Sequence, residues 1–459
     1  MSRLPQIGDQ IANVPTTTED NWAVVLIEPS SSHSAKHRYL TRSTNLFEQN
    51  NIDFITFEED CNDTCLFIID PLKIVRAVLY DSENNSINSS QIVSIINSLK
   101  PSLRPQINSL ENSPPGFNPE CPTLKPIVGE YVLGNPQNVD PLLLDFAIYA
   151  FALIQPNGTF QVYSERYLKE LANLRTTNPK LKVIMAIGGW GNDGFSDAAL
   201  TPTSRYAFAR EAQRWVNRFN LDGVDLDWEY PGSSAAGIKS RPQDGENFTL
   251  LIQALRDVLG PEAWISVAGI ADNSYVRTVQ IDEIAPLITH FNLMSYDFTA
   301  GESGANGSKH QSNLFDSDLA LNNISVELYI NNLLDAGMPP EKILVGIPFY
   351  GRRGATFTRT FDEIRKNYLN KNGYKVLWDN VAKAPYIVDP SGKFFLSFDN
   401  ALSIYYKGQY IYDNCLGGMF SWQSSFDQAN ILASYMNTAI DNPAELEDIL
   451  SESYYGPNS

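Results

Sequence analysis

Four carboxylates fall within eight positions of the stretch LDGVDLDWEYPG, residues 221–232: Asp222, Asp225, Asp227 and Glu229. Between them stand Val224, Leu226 and Trp228, residues of the kind that favours strands over solvated loops. Alternate side chains of a strand share a face, so Asp225, Asp227 and Glu229 would rise along one side at steps of roughly 6.5–7 Å. Acids held this close and away from water cannot all ionise independently. A proton is then shared, and a protonated Glu229 can act as a general acid. Carboxyl groups of unequal protonation, one donating to a leaving oxygen, are what cleavage of a glycosidic bond requires. The plainer reading is a solvated row of charge on a strand face, and the choice depends on what surrounds the strand.

The surrounding sequence argues for burial. Eight short apolar runs recur at the spacing of βα units: KPIVGEYVL, LLLDFAIYAFALI, KLKVIMAIGGW, LDGVDLDWEY, WISVAGI, ITHFNLMSYDF, KILVGIPFYG and CLGGMFSW. Helix-patterned segments lie between most of them, among them SRYAFAREAQRWVNRF, GENFTLLIQALRDVL and NISVELYINNLLDAG. Eight such units predict an α/β fold, a (β/α)8 TIM barrel; an open doubly wound sheet has the same periodicity and stays open as an alternative. In a barrel the acidic face points inward and Glu229 stands uppermost at the C-terminal mouth, where barrel active sites lie, with Asp227 and then Asp225 beneath it. The interval from Arg352 to about Asp413 is long and holds three strand-like pieces, which predicts a small α+β insertion between strands seven and eight.

The wider composition narrows the partners. Of 459 residues, 34 are Lys or Arg and 53 are Asp or Glu, a formal net charge of −19. That charge disfavours nucleic acid and anionic membrane surfaces and is compatible with a neutral substrate. Four scattered cysteines (Cys61, Cys65, Cys121, Cys415) are too few for a disulfide framework and read as free thiols or a single bridge. With four histidines in the chain, no metal-ligand spacing occurs, and neither a metal nor a cofactor is expected. A proline- and asparagine-rich segment, residues 101–124, reads as a linker between a first α/β region, residues 1–100, and the barrel, residues 125–440, with a tail at 441–459.

The carboxylate run DGVDLDWE resembles the signature of the glycoside hydrolase family 18 chitinases. Further motifs of that family follow in order: AIGGW (residues 186–190), NLMSYD (292–297), GIPFYGR (346–352) and GGMFSW ending at Trp422. The resemblance spans roughly residues 125–437, insertion included. It implies cleavage of β-1,4 bonds between N-acetylglucosamine units of chitin or chito-oligosaccharides by a substrate-assisted, retaining route, an exception to the two-carboxylate rule. Carried over, Glu229 is the proton donor, Asp227 orients the substrate acetamido group, Asp225 shares the proton below, and Tyr296 hydrogen-bonds the acetamido oxygen. Met294 and Asp297 line the same pocket, and Trp422 forms its floor. Trp190 stacks a sugar on the leaving-group side, Arg352 contacts the polymer, and Tyr131 and Phe151 complete the binding surface. One departure is Glu130, where many relatives have an aromatic or small residue; which of Glu130 and Tyr131 points inward is open.

The first hundred residues resemble the thioredoxin-like peroxiredoxins, through LPQIGDQIANVPTTT, NWAVVLIEP, CLFIIDPLKIVRAVLY and SQIVSIINSLK. The cysteine that family needs should follow Pro29, but SSSHSAKHR stands there. A thiolate is the obligatory nucleophile of that chemistry, so this region reads as a catalytically dead scaffold for docking or dimerisation. Competing functions for the whole are an endo-β-N-acetylglucosaminidase acting on glycan cores, a sugar-binding lectin, and a subunit of a larger assembly. Chitin lies outside cells, so an extracellular destination follows from the substrate. The N-terminal residues carry no apolar signal core, which leaves cytoplasmic synthesis before a different export route as the alternative.

Overall fold

The computed structural model describes residues 121, 125–446 and 450, and four strands before them, Trp22–Pro29, Ile52–Glu59, Cys65–Ile69 and Val75–Tyr80. The chain divides into two compact units, Met1–Glu111 with Ser451–Gly456, and Asn112–Leu450 with Pro457–Ser459. In the first unit the four strands form one mixed sheet. Trp22–Pro29 pairs parallel with Ile52–Glu59 and antiparallel with Cys65–Ile69, which pairs antiparallel with Val75–Tyr80. The helices expected around residues 39–49 and 90–100, the rest of the linker beyond Cys121, and the side chains on which the peroxiredoxin-like reading depends lie outside the described residues.

The second unit is built on eight parallel strands: β1 (Ile127–Leu133), β2 (Phe146–Ile154), β3 (Lys182–Gly188), β4 (Gly223–Asp227), β5 (Trp264–Gly269), β6 (His290–Leu293), β7 (Ile343–Pro348) and β8 (Gly418–Trp422). Each pairs with the next, and β8 pairs with β1, so the sheet closes on itself. Closure decides for the (β/α)8 barrel over the open sheet. A closed barrel buries both strand faces, one under helices and one in the lumen, which is why the runs read as continuously apolar. Accordingly there are two clusters. An inner one includes Tyr131, Phe146, Ile148, Ile184, Trp264, Leu344 and Phe420. An outer one joins Val128, Val132, Val224 and Leu226 to the helices.

Local sequence sets the helix ends. Pro202–Phe219 starts at a capping box in which Thr201 and Ser204 satisfy each other's backbone N–H groups, and it stops at Asn220, whose φ is +52°. Its buried stripe of Phe208, Ala209, Ala212 and Trp215 follows the 3.6-residue period. Burying each large member of such a stripe stabilises the fold by about 1.5–3 kcal/mol.

Between β7 and β8 a five-stranded antiparallel sheet runs in the order Phe357–Thr360, Tyr350–Arg353, Phe394–Ser397, Ala384–Val388, Lys375–Asp379. The three strand-like pieces expected there are three of its strands. The last part of the interval, Ala401–Asp413, is a helix packed against Ile431–Asp441. His310 pins this sheet to the barrel, with Nδ1 3.2 Å from Ser397 Oγ and Nε2 3.2 Å from Asp379 Oδ2. The single bridge admitted by the cysteine count is present, joining Cys121 to Cys415 just before β8. Among the described residues no helix is long and apolar enough to cross a membrane.

Candidate active site

The carboxylate row lies where the barrel mouth opens. β4 ends at Asp227, so Glu229 stands past the ladder and not on the strand itself. The alternation nevertheless continues, because Trp228 turns outward, buried beneath the helices and stacked on Phe195 with ring centres 5.3 Å apart. That leaves Asp225 and Asp227 buried in the lumen and Glu229 at the wall of a cleft of about 470 Å³. The Gly188–Gly189 pair allows close backbone packing. A Cβ on Gly188, whose φ is +119°, would sit 2.1 Å from the Asp227 carbonyl oxygen, and Gly189 N–H donates to that oxygen at 2.9 Å.

Asp225 is the most completely partnered of the three acids. It accepts from Tyr131 Oη at 2.8 Å, Ser266 Oγ at 2.6 Å and Asn292 Nδ2 at 3.1 Å. Burial raises its pKa to about 6, against the pull of these three donors. Asp227 differs: its Oδ1 is buried without a hydrogen-bond partner among the described residues. Burial, then the charges of Glu229 and Asp225, push its pKa well above the ordinary value. Glu229 is raised to about 7, first by burial, and held from rising further by Tyr230 Oη, which donates to its Oε2 at 3.2 Å. Both shifts favour the protonated form of a carboxyl group at the cleft.

The other expected residues gather around this row. Tyr131, Phe151, Trp190, Met294, Tyr296, Asp297 and Trp422 all line the cleft with Asp227 and Glu229. Trp422 packs on Tyr131 and stacks on Phe151, ring centres 5.8 and 5.6 Å apart, which fixes an indole face at the pocket base. The Tyr296 phenol is buried and kept protonated by burial and by the surrounding carboxylates, so it keeps a proton to donate to an oxygen in the cleft. The segment carrying Met294 to Asp297 is tied down by Met294 N–H on the Gly269 carbonyl at 2.8 Å and by Ser295 Oγ on Gly346 O at 3.0 Å. Peptide bonds 150–151, 229–230 and 422–423, all beside cleft residues, are cis.

Arg352 meets the cleft wall at Asp297. It is bound to Asp297, Nε to Oδ1 at 2.6 Å, and Tyr350 Oη donates to the same oxygen at 2.6 Å. A guanidinium beside a carboxylate at the mouth takes that partner before a neutral sugar. Glu130, left open between two orientations, points away from the lumen: Tyr131 faces in, and Glu130 is buried on the outer face with Ser421 Oγ donating to it at 3.3 Å. The reading of the sequence missed Ser266, Asn292, Tyr230 and Tyr350. All four sit inside quoted stretches, Asn292 and Tyr350 within family motifs, but no spacing marks any of them as part of the site.

Residues 128–427 match the family model for glycosyl hydrolases family 18. The chain belongs to that family. Chitinase A1 of Niallia circulans is 34% identical over 302 residues, which cover 58% of this chain and 43% of that protein. Mouse chitotriosidase-1 is 28% identical over 370 residues, 69% of this chain and 77% of that one. The chain thus spans less than half the length of the Niallia relative. Among solved structures, the chitinase domain of the spore coat protein CotE from Clostridium difficile is 59% identical, with a TM-score of 0.56, covering 74% of this chain and 99% of that one. A family 18 N-acetylglucosaminidase from Paenibacillus barengoltzii is 31% identical, with a TM-score of 0.63, covering 68% and 99%. The family 18 match begins at residue 128, and none of these matches supports the peroxiredoxin-like resemblance of the first hundred residues.

Proposed function

We propose that the barrel is a chitinase, hydrolysing β-1,4 bonds between N-acetylglucosamine units with retention. The observation that carries this is the acid pair: half-buried Glu229 on the cleft wall, with buried Asp227 beneath it offering an unpartnered oxygen. In the first step the Glu229 proton passes to the glycosidic oxygen as the bond from that oxygen to the anomeric carbon breaks. The carbonyl oxygen of the sugar's own 2-acetamido group forms the new bond to that carbon, giving an oxazolinium ion. Asp227 Oδ1 accepts the acetamido N–H, and Tyr296 Oη donates to the acetamido oxygen. The Glu229 carboxylate then takes a proton from water, whose oxygen attacks the anomeric carbon and reopens the ring. Glu229 is protonated again, ready for the next turn.

Trp422 is the floor under the reacting sugar, and Trp190 takes a sugar of the leaving group. Arg352 acts through Asp297 and not on the polymer. The insertion between the seventh and eighth strands favours a chitin polymer over a glycan core on the family resemblance. A lectin reading is disfavoured because the terminal acid is retained. The polymer is extracellular, which favours an extracellular destination. The first hundred residues are a docking or dimerisation scaffold on this reading.

The test is a digest of three substrates read by mass spectrometry: chitin hexamer, its fully deacetylated counterpart, and an N-glycan core. Shorter acetylated oligomers from the first alone support the proposal. Cleavage of the glycan core alone would make the protein an endo-β-N-acetylglucosaminidase, and three intact substrates would leave a binding role.

A further inference from the structure

Eight large apolar or aromatic side chains are markedly exposed among the described residues, and of these only Tyr163 and Trp190 stand on the cleft wall. They are 64% and 65% exposed. Trp190 was expected there from its motif. Tyr163 belongs to no motif, and its ring is left in water at a place where ring faces meet carbohydrate.

The backbone beneath Tyr163 is held unusually well for an exposed side chain. β2 continues past the barrel rim, where Ala152, Leu153 and Ile154 pair antiparallel with Val162, Gln161 and Phe160. Just after Tyr163, the Ser164 N–H donates to Tyr149 Oη at 3.0 Å, and that hydroxyl donates back to Ser164 O at 3.1 Å. Ser164 also caps the helix Glu165–Asn173 through its side chain. So the main chain is fixed on both sides of a ring that is itself free. The same hairpin is bonded to the loop that carries Trp190: Ile154 N–H donates to Asn192 Oδ1 at 3.1 Å. The two exposed rings therefore ride on one connected piece of backbone. A ring needing only two torsions to be fixed, on a rigid base, adds contact area at low entropic cost.

We propose that Tyr163 and Trp190 form a two-ring rail for sugar units beyond the one being cleaved, so that Tyr163 sets the preference for long acetylated chains. This rests on the proposed function, and it adds a residue and a chain-length dependence to it. The contribution is the ring face and not the hydroxyl, since an apolar face is what sugar C–H surface matches.

The experiment compares acetylated trimer and hexamer with the full chain, Tyr163→Ala and Tyr163→Phe, by kcat/KM and by calorimetric titration. The expected result is a loss of about 2–12-fold in kcat/KM for hexamer in Tyr163→Ala, carried by KM, the size of one aromatic face contact. Trimer values stay unchanged, and Tyr163→Phe stays close to wild type on both. Melting temperatures of both variants should equal that of the wild type, because the side chain is exposed. Equal losses on trimer and hexamer, or no loss on hexamer, would overturn the rail. Titration separates the rail from the reaction. If the wild type binds hexamer without cleaving it, the proposed function fails, and the rail stands only if Tyr163→Ala weakens that binding. If the wild type binds neither oligomer, both fail.

Discussion

In the proposed mechanism Glu229 must carry a proton, and burial and one neighbour act on that proton in opposite directions. Burial raises its pKa to about 7, whereas the Tyr230 hydroxyl stabilises the carboxylate and lowers it. A general acid loses activity as pH rises through its pKa, so kcat/KM should fall on the alkaline side of about pH 7. Tyr230→Phe removes the donor, raises the acid's pKa and moves that limb to higher pH. A pH profile of the variant with an unmoved or lowered limb would contradict this. At the same scale, spacing along one strand exposed the three acids but not what holds them. Ser266 and Asn292 reach Asp225 from 41 and 67 residues away, through strand pairing that no local pattern carries. The Arg352–Asp297 pair was hidden in the same way, since its partners lie 55 residues apart.

The strand is the scale at which Glu130 becomes intelligible. Along β1, Val128, Glu130 and Val132 share the outward face, and Tyr131 and Leu133 turn to the lumen and cleft. In a two-sided buried strand both faces are apolar, so the alternation was present but could not be assigned to inside or outside. Facing outward, Glu130 pairs across the ladder with Ser421 on β8, directly behind Tyr131 and Trp422. Burial first, and the nearby Asp427 second, raise its pKa to about 8 from an ordinary 4.5. Between those values the unfolded chain has lost the proton and the folded chain keeps it. Stability therefore falls as pH rises from about 4.5 to about 8. Glu130→Gln should remove that penalty without disturbing the Ser421 contact. Its advantage over the wild type in thermal or urea unfolding should grow by about 1–3 kcal/mol between pH 5 and pH 8. A constant difference across that range would show that Glu130 is ionised in the fold.

For the whole second unit, the eight-strand count and the helices between them were legible because each unit repeats a buried strand, a turn and an amphipathic helix. The limits of the insertion were less so. Ala401–Asp413 follows strand-like pieces directly, and only its packing on Ile431–Asp441 shows that it belongs with the barrel helices. The bridge was equally hidden, since Cys121 and Cys415 lie 294 residues apart. It links the segment entering β1 to the residues entering β8, at the N-terminal ends of the strands, opposite the cleft. Replacing both cysteines with serine should lower unfolding stability by about 2–5 kcal/mol and leave kcat at 25 °C unchanged. Loss of turnover in a variant that still melts cooperatively would mean that the bridge shapes the mouth.

The central claim is that one carboxyl group at the end of the acid row breaks the glycosidic bond, and Glu229→Gln on chitin hexamer tests it most directly. Glutamine keeps the shape and has no acidic proton. The wild type should release shorter chito-oligosaccharides, and the variant should be slower by about 10²–10⁴-fold and still bind hexamer. A variant that cleaves hexamer at more than about a tenth of the wild-type rate would place the acid elsewhere.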